Sequence, residues 1–407
     1  MFRFGSHVFV AAVACFLWAC GVLSADEGAE KETSGQVNST AQPSEPPEEN
    51  DSSTASGLET RATAAARAAC VKKYGGTAAS EAAVAAALKW LAAAQTPDGG
   101  WNFDHRLAQD PGIQMADHHG SLTSARNAAT AMAVLPFLGA GHTHNEGDYK
   151  ATVTGGLSYL TTHMKDDGSM HESGGYMYSH GLASIALCEA YTLTHDKKLL
   201  SPAQASLNFI AFAQDPVGGG WRYQPRQPGD TSVLGWQLMA LKSGHMAYLQ
   251  VSPLTIRGAI KFLDSVQAGN GAYYGYTTPG KRWTTSAVGL LCRMYLGWPS
   301  DRTALKEGVE YLSAQGPSKT DMYYNYYATQ VMFQYGGEHW DKWNAKLRDL
   351  LVNKQDKAGP AQGSWHFAGG HGAARGGRIY NTSLATMILE VYYRHPRMYE
   401  KKATTEE

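Results

Sequence analysis

The sequence predicts an all-α protein, an α/α toroid of six repeats in which six outer helices surround six inner ones. Three observations predict it. Helical runs opening on an apolar-x-aromatic pattern recur roughly every 50 residues, at "LKW" (88), "LSY" (157), "LNF" (207), "IKF" (260) and "VEY" (309), with a looser sixth copy, "LRDLL" (347). Gly-containing turns follow five of the six: "TPDGGW", "KDDGSM", "DPVGGGW", "AGNGAYYGY" and "GPAQGSW"; the fifth copy runs through "AQGPSKTDMYY" instead. After every turn comes a second helical run of different character.

Residues 1–25 precede all of this. "MFRFGSH" is weakly basic, "VFVAAVACFLWACGVL" is apolar for 16 residues, and "LSA" follows, which is the pattern of a secretory signal peptide cleaved after Ala25. The apolar run is short for a membrane span. Lipid attachment at Cys20 is the alternative, and either route sends the protein to the periplasm or outside the cell. Residues 26–60 are rich in Glu, Ser, Thr and Pro and carry a net charge of −8, so they read as a disordered acidic linker that cannot bury enough apolar surface to order itself. The remaining domain, 61–407, is mildly basic at +6, too little to suggest nucleic acid as a partner. Its cysteines, Cys70, Cys188 and Cys292, form no CxxC and no even framework, so disulfides do not organise the fold. "RATAAARAACVKKYGG" at its start reads as an extra helix outside the ring.

The two helices of a repeat differ. In "RGAIKFLDSVQ", Ala259, Phe262, Leu263 and Val266 form one apolar stripe, with Arg257, Lys261 and Asp264 opposite. In "HGLASIALCEAY" two apolar stripes cover most of the circumference, as in a helix buried on most sides. The turns repeat a Gln and a Trp, Gln95 with Trp101 and Gln214 with Trp221. A Gln amide bonded to the next helix would tie neighbouring repeats together.

"LKWLAAAQTPDGGW" and "LNFIAFAQDPVGGGW" resemble the QW repeats of squalene and hopene cyclases, and the arrangement is similar to the protein prenyltransferase β-subunits, over roughly residues 80–395. The resemblance implies a central aromatic-lined cavity, an isoprenoid or other apolar ligand, and acid-initiated cyclisation. The DxDD motif of the cyclases is absent; the nearest candidate acid is Asp230 in "GDTS", which also fits a helix N-cap. The prenyltransferase zinc set of Asp, Cys and His has no counterpart, since no Cys opens an inner helix, and DDxxD is absent too.

Function is expected where the inner helices begin, because helix N-termini converge there and carry free N–H groups. Asp230, Tyr324 and His371 are the candidate catalytic residues. The candidate ligand contacts are Trp236, Trp283, Tyr323, Asn325, Tyr326, Tyr380, Arg375, Arg378 and His180. Aromatic faces stabilise cations and stack on sugar rings. Histidines in "DHHG" (His118, His119) and "WHFAGGHG" (His366, His371) permit zinc in principle, but they lack HxH and HxxxH spacing, so no metal or other cofactor is expected. Three functions fit these residues. The first is a toroid binding an isoprenoid or other apolar ligand, with peripheral membrane association. The second is a polysaccharide lyase or hydrolase using Tyr324, Asn325, His371 and Arg375 at the mouth. The third is a non-catalytic scaffold. Oligomeric state is left open.

Overall fold

A computed structural model describes residues 59–400. The leader, the cleavage site, Cys20 and nearly all of the acidic linker lie outside the described residues. After one short turn of helix, Glu59–Ala62, comes α1 (Ala64–Tyr74), followed by twelve long helices that alternate in role. The outer helices are α2 (Ala78–Ala93), α4 (Lys150–Thr162), α6 (Lys197–Ala213), α8 (Pro253–Val266), α10 (Thr303–Gln315) and α12 (Gly337–Lys354). The inner helices are α3 (Arg126–Gly139), α5 (Tyr176–Thr194), α7 (Thr231–Met246), α9 (Trp283–Tyr295), α11 (Met322–Tyr335) and α13 (Ala373–Leu389). Each inner helix packs on the next, and α13 packs back on α3, so the ring is closed. Helix α1 stays outside it and packs on the short C-terminal turn Val391–Arg394.

Burial follows the two sequence patterns. On α8 the stripe Ala259, Phe262, Leu263 and Val266 is buried while Arg257, Lys261 and Asp264 are exposed. On α5 every residue from Ser179 to Ala190 is buried. Cys188 and Cys292 are buried free thiols that act as small apolar side chains.

Three Gln–turn–Trp elements share one geometry. Gln95 Nε2 donates to Gly99 O (2.7 Å) in its own turn and to Thr152 O (2.9 Å) on the next outer helix, α4. Gln214 does the same with Gly219 O (2.7 Å) and Thr255 O (2.9 Å) on α8. Gln355 bonds Gly363 O (2.9 Å) and Ala83 O (2.7 Å) on α2, which joins the last repeat to the first. Each indole N–H returns to the outer helix before it: Trp101 to Leu91 O, Trp221 to Ile210 O and Trp365 to Leu351 O, all at 2.8 Å. The turn glycines Gly219 (φ 79°) and Gly363 (φ 92°) need positive φ, and a Cβ on either would run into backbone of the next outer helix, at Gly258 O and Ala86 O.

The C-terminal ends of the inner helices close over a buried charge cluster. Arg61 Nη1 donates to Glu189 Oε2 (2.7 Å), and Arg394 Nη2 donates to the same oxygen (3.0 Å). Arg394 Nη1 reaches Glu390 Oε2 (3.2 Å) and Leu135 O (2.7 Å). The side chains are at most 7% exposed. Cations belong here, because helix C-termini present unpaired carbonyls and partial negative charge. Gly139 makes the room: a Cβ there would collide with Glu390 and Arg394.

Candidate ligand site

At the opposite end the inner helices begin, and here the carboxyl of Asp230 sits under a group of tyrosines. Asp230 caps α7. Its Oδ1 accepts from Ser232 N (2.9 Å), Ser232 Oγ (2.7 Å) and Val233 N (2.9 Å). Its Oδ2 is buried and has no partner of ordinary hydrogen-bond geometry, although the Tyr276 hydroxyl is near enough to act on the carboxyl. Burial pushes the carboxyl above its ordinary range, against the pull of Val233 N–H, the Ser232 and Tyr276 hydroxyls and the Arg222 guanidinium.

Ser232 carries the network outward. Its Oγ meets the Tyr178 hydroxyl at 2.6 Å, and its carbonyl accepts from the Tyr323 hydroxyl at 3.3 Å. The Tyr223 and Tyr276 hydroxyls share a hydrogen bond of 2.7 Å, and the Arg222 guanidinium lies 5.4 and 5.9 Å from their ring centroids. The chain folds Tyr276 into place through two bonds from the head of α7, Thr231 N to Tyr276 O (3.0 Å) and Thr231 Oγ1 to Gly275 O (2.7 Å). Tyr380 completes the group, close enough to Tyr178 and Tyr323 to affect both phenols, and its hydroxyl donates to His371 O (2.7 Å). Burial raises the phenols of Tyr178, Tyr276, Tyr323 and Tyr380 far above their usual value, so all four stay protonated and able to donate.

Below this mouth the barrel is filled. Trp236 stacks on Tyr326 (5.4 Å, 15°) and meets Tyr323 (6.2 Å) and Tyr327 (5.4 Å) edge-on. None of the four is more than 8% exposed. These rings pack on one another instead of facing a chamber, which corrects the expectation of an open aromatic cavity around Trp236 and Tyr326.

Other candidates from the sequence have structural partners. His180 is buried, receives Met170 N–H at Nδ1 (3.0 Å) and donates from Nε2 to Ser206 O (3.0 Å). Thr130, Ser286 and Thr382 hold the backbone N–H of Trp101, Tyr274 and Trp365 from the equivalent place on their own inner helices. Asn325 does so for Ser318 N (2.8 Å) and returns Nδ2 to Ser318 O. His180 and Asn325 therefore anchor turns and do not face a ligand. Tyr324 points to the outer layer, against Trp343 and Leu312 O, away from His371 and Arg375, which are exposed. That separation takes apart the expected set of Tyr324, Asn325, His371 and Arg375. Trp283, 47% exposed, lies against Tyr311 of α10 at the rim.

Arg378 belongs to the ring closure. Its Nη1 pairs with Asp356 Oδ2 (2.6 Å), its Nε bonds Asp117 Oδ1 (3.0 Å), and Nη2 holds the same carboxylate. The His118 and His366 rings stack beside it at 3.6 Å. Among the described residues no group of three or more His, Cys, Asp or Glu is placed to hold a metal ion, and no helix is long and apolar enough to cross a membrane.

His180 gives a pH prediction. Burial lowers its folded pKa to about 4, below the unfolded value near 6.5. Above pH 6.5 the ring is neutral in both states and contributes no slope. As pH falls, the unfolded chain binds the proton first, so native stability drops by about 3 kcal/mol between pH 6.5 and pH 4. Denaturation midpoints at pH 7 and pH 4.5 should show a smaller shift for His180→Gln; an unchanged shift would assign the slope to other groups.

Comparison with known proteins places the fold. Residues 65–182 match the family described as squalene-hopene cyclase C-terminal domain. Three solved structures resemble the whole toroid. One is a type II terpene cyclase from Scytonema, a variant in complex with geranylgeranyl dihydroxybenzoate, at TM-score 0.52 and 12% identity over 79% of this chain and 98% of that one. Another is an inactive alpha-1,6-mannanase of Salegentibacter sp. HEL1_6 in complex with alpha-1,6-mannotriose, at TM-score 0.51 and 10% identity over 75% and 98%. The third is a cellobiose 2-epimerase from Bacillus thermoamylovorans, at TM-score 0.50 and 12% identity over 69% and 90%. At such identities the likeness shows the fold alone. No curated protein matches the sequence.

Proposed function

Starting from a terpene-cyclase-like α/α toroid, we propose that this protein is exported and binds a saccharide at the tyrosine-walled mouth, with Asp230 as the group that meets a ligand hydroxyl or ether oxygen. One observation carries the reading. The buried Oδ2 of Asp230, which has no partner of ordinary hydrogen-bond geometry, lies near the half-buried rings of Tyr178 and Tyr276, whose hydroxyls belong to the network around it. Aromatic faces stack on the C–H faces of sugar rings while hydroxyls satisfy their oxygens. A carboxyl with a raised pKa is protonated nearer neutral pH but is a weak acid. It suits hydrogen bonding or proton transfer to oxygen better than protonation of an alkene.

A second reading, an isoprenoid or other apolar ligand, is favoured by the family match over residues 65–182. Against it stand the filled barrel and the weak acid. Native mass spectrometry with lipid extraction of the protein from its own host separates the two. A co-purifying glycan supports the first reading, and a co-purifying isoprenoid overturns it.

Asp230→Asn tests the residue. Asn is as good an N-cap as Asp, so the melting temperature should stay within a few degrees while saccharide affinity falls roughly tenfold. Unchanged affinity would make Asp230 a cap and nothing more. Asp230→Ala loses the cap as well and should cost about 1 kcal/mol of stability.

A further inference from the structure

Several cations on the mouth side form no salt bridge among the described residues. Arg222 lies against the Tyr223 and Tyr276 rings and near enough to Asp230 to act on its carboxyl, but forms no salt bridge with it. Lys281 Nζ lies 4.1 Å from the Tyr273 centroid and 4.8 Å from that of Tyr311. Arg282, next to it, and Arg375, at the head of α13, are exposed. Elsewhere near the inner-helix starts arginines are paired: Arg126 with Asp98 (2.6 Å), Arg106 with Asp104 (2.7 Å), and Arg378 with Asp356 (2.6 Å) and Asp117. The acidic groups of the mouth are committed to the fold or neutralised. Glu172 accepts from Asn127 and Ala128 N–H at the head of α3, and Asp321 caps α11 through Tyr324 N–H. Asp230 is held toward its neutral form by burial.

We infer that the ligand is an acidic saccharide, bearing a uronate or a sulfate ester, with Arg222 meeting its charge between the Tyr223 and Tyr276 rings and Lys281 extending the attraction toward the rim. This rests on the saccharide reading of the mouth. The segment from Gly275 to Trp283 links the two places. It brings Tyr276 to the head of α7 and, five residues on, sets Lys281 over Tyr273 and Tyr311. A ligand reaching both would lie across one short loop, on which Tyr276 and Lys281 are at most roughly 18 Å apart at full extension. Guanidinium on an aromatic shelf is pre-organised for a planar anion, and exposed cations also draw such ligands in by a salt-dependent route.

The test is titration calorimetry on the full chain with oligogalacturonate, with a sulfated oligosaccharide and with neutral mannan oligosaccharides, each at two salt concentrations. Acidic ligands should bind more tightly than neutral ones and weaken with salt. Arg222→Gln should lose roughly 10- to 100-fold for the acidic ligands and change little for the neutral ones. Arg222→Lys should recover part of the loss, and circular dichroism should show both variants folded. Whichever of uronate and sulfate binds better identifies the charged group. Neutral ligands binding as tightly as acidic ones, with Arg222→Gln inert, would overturn the charge inference; the mouth reading would still stand if Asp230→Asn weakened that neutral binding. Failure of every saccharide to bind would overturn both.

Discussion

Glu189→Leu is expected to destabilise the protein by about 3–5 kcal/mol, a fall in melting temperature of roughly 5 °C for a domain of this size. Glu189 lies between Arg61 and Arg394, all three nearly inaccessible to solvent. Burial alone would raise its carboxyl, but the two guanidiniums more than offset this and hold it below its usual range. Glu390 goes the other way: burial pushes it well above the usual range in spite of Arg394. The cluster is therefore rich in positive charge, and Glu189 is its principal anion. Arginine cannot shed its proton to escape. Removing Glu189 leaves two buried guanidiniums with only carbonyls, such as Leu135 O, and a poorly ionised Glu390. Thermal unfolding of Glu189→Leu and of the double variant Arg61→Met/Glu189→Leu checks this. The double variant removes equal and opposite charges, so it should recover much of the loss. A single variant as stable as the parent would mean that water or another group already satisfies these arginines.

The fold could be read from the sequence because its signals are local and repeated. The period, the two kinds of helix and the outer stripe of Ala259, Phe262, Leu263 and Val266 all recur as burial in the structure. What escaped was set by distance along the chain. Gln355 does for the last repeat what Gln95 and Gln214 do for theirs, but its turn is longer, and its partner Ala83 is 272 residues away. Asp230, Tyr323 and Tyr380 were visible because they stand at or near the starts of inner helical runs, Tyr380 just after the break at Gly377 in α13. Tyr223 and Tyr276 were not, since only backbone bonds such as Thr231 N to Tyr276 O bring their segments over the mouth. A signal for them existed: each stands two residues after the aromatic that ends its turn, Trp221 and Tyr274. The same offset from Trp101 and Trp365 gives Phe103 and Phe367, which are buried and lack the hydroxyl. His180 and Asn325 misled for the opposite reason. Polar residues near the start of an inner helix look free in sequence, but this fold uses that place to hold a turn N–H.

Trp365→Ala is expected to cost about 3–5 kcal/mol, because its indole is fully buried and its N–H is bonded to Leu351 O. The interest of this site is that it belongs to the closing seam. In an open array of six repeats the last turn would have no following helix, and Gln355→Ala would lose only the bond to Gly363 O in its own turn. In a closed ring Gln355 loses bonds to both Gly363 O and Ala83 O, and the change should cost about 1–3 kcal/mol. Gln214→Ala is the internal standard, since its two bonds, to Gly219 O and Thr255 O, lie within the ring. Equal losses for Gln355→Ala and Gln214→Ala support closure, and a clearly smaller loss at Gln355 would argue for an open array. Hydrogen exchange locates the effect. The amides of Leu122 and Arg378 bond across the seam to Arg375 O and His118 O. In Trp365→Ala these two should exchange faster before amides of α7 do, because opening a ring at one seam frees its bonds without unfolding the helices opposite. The mouth depends on the same closure: Tyr380 is carried by α13, the helix that packs across the seam on α3, while Tyr178, Asp230 and Tyr323 stand on α5, α7 and α11. Loosening the seam should therefore weaken ligand binding in Trp365→Ala even though Trp365 is remote from the ligand.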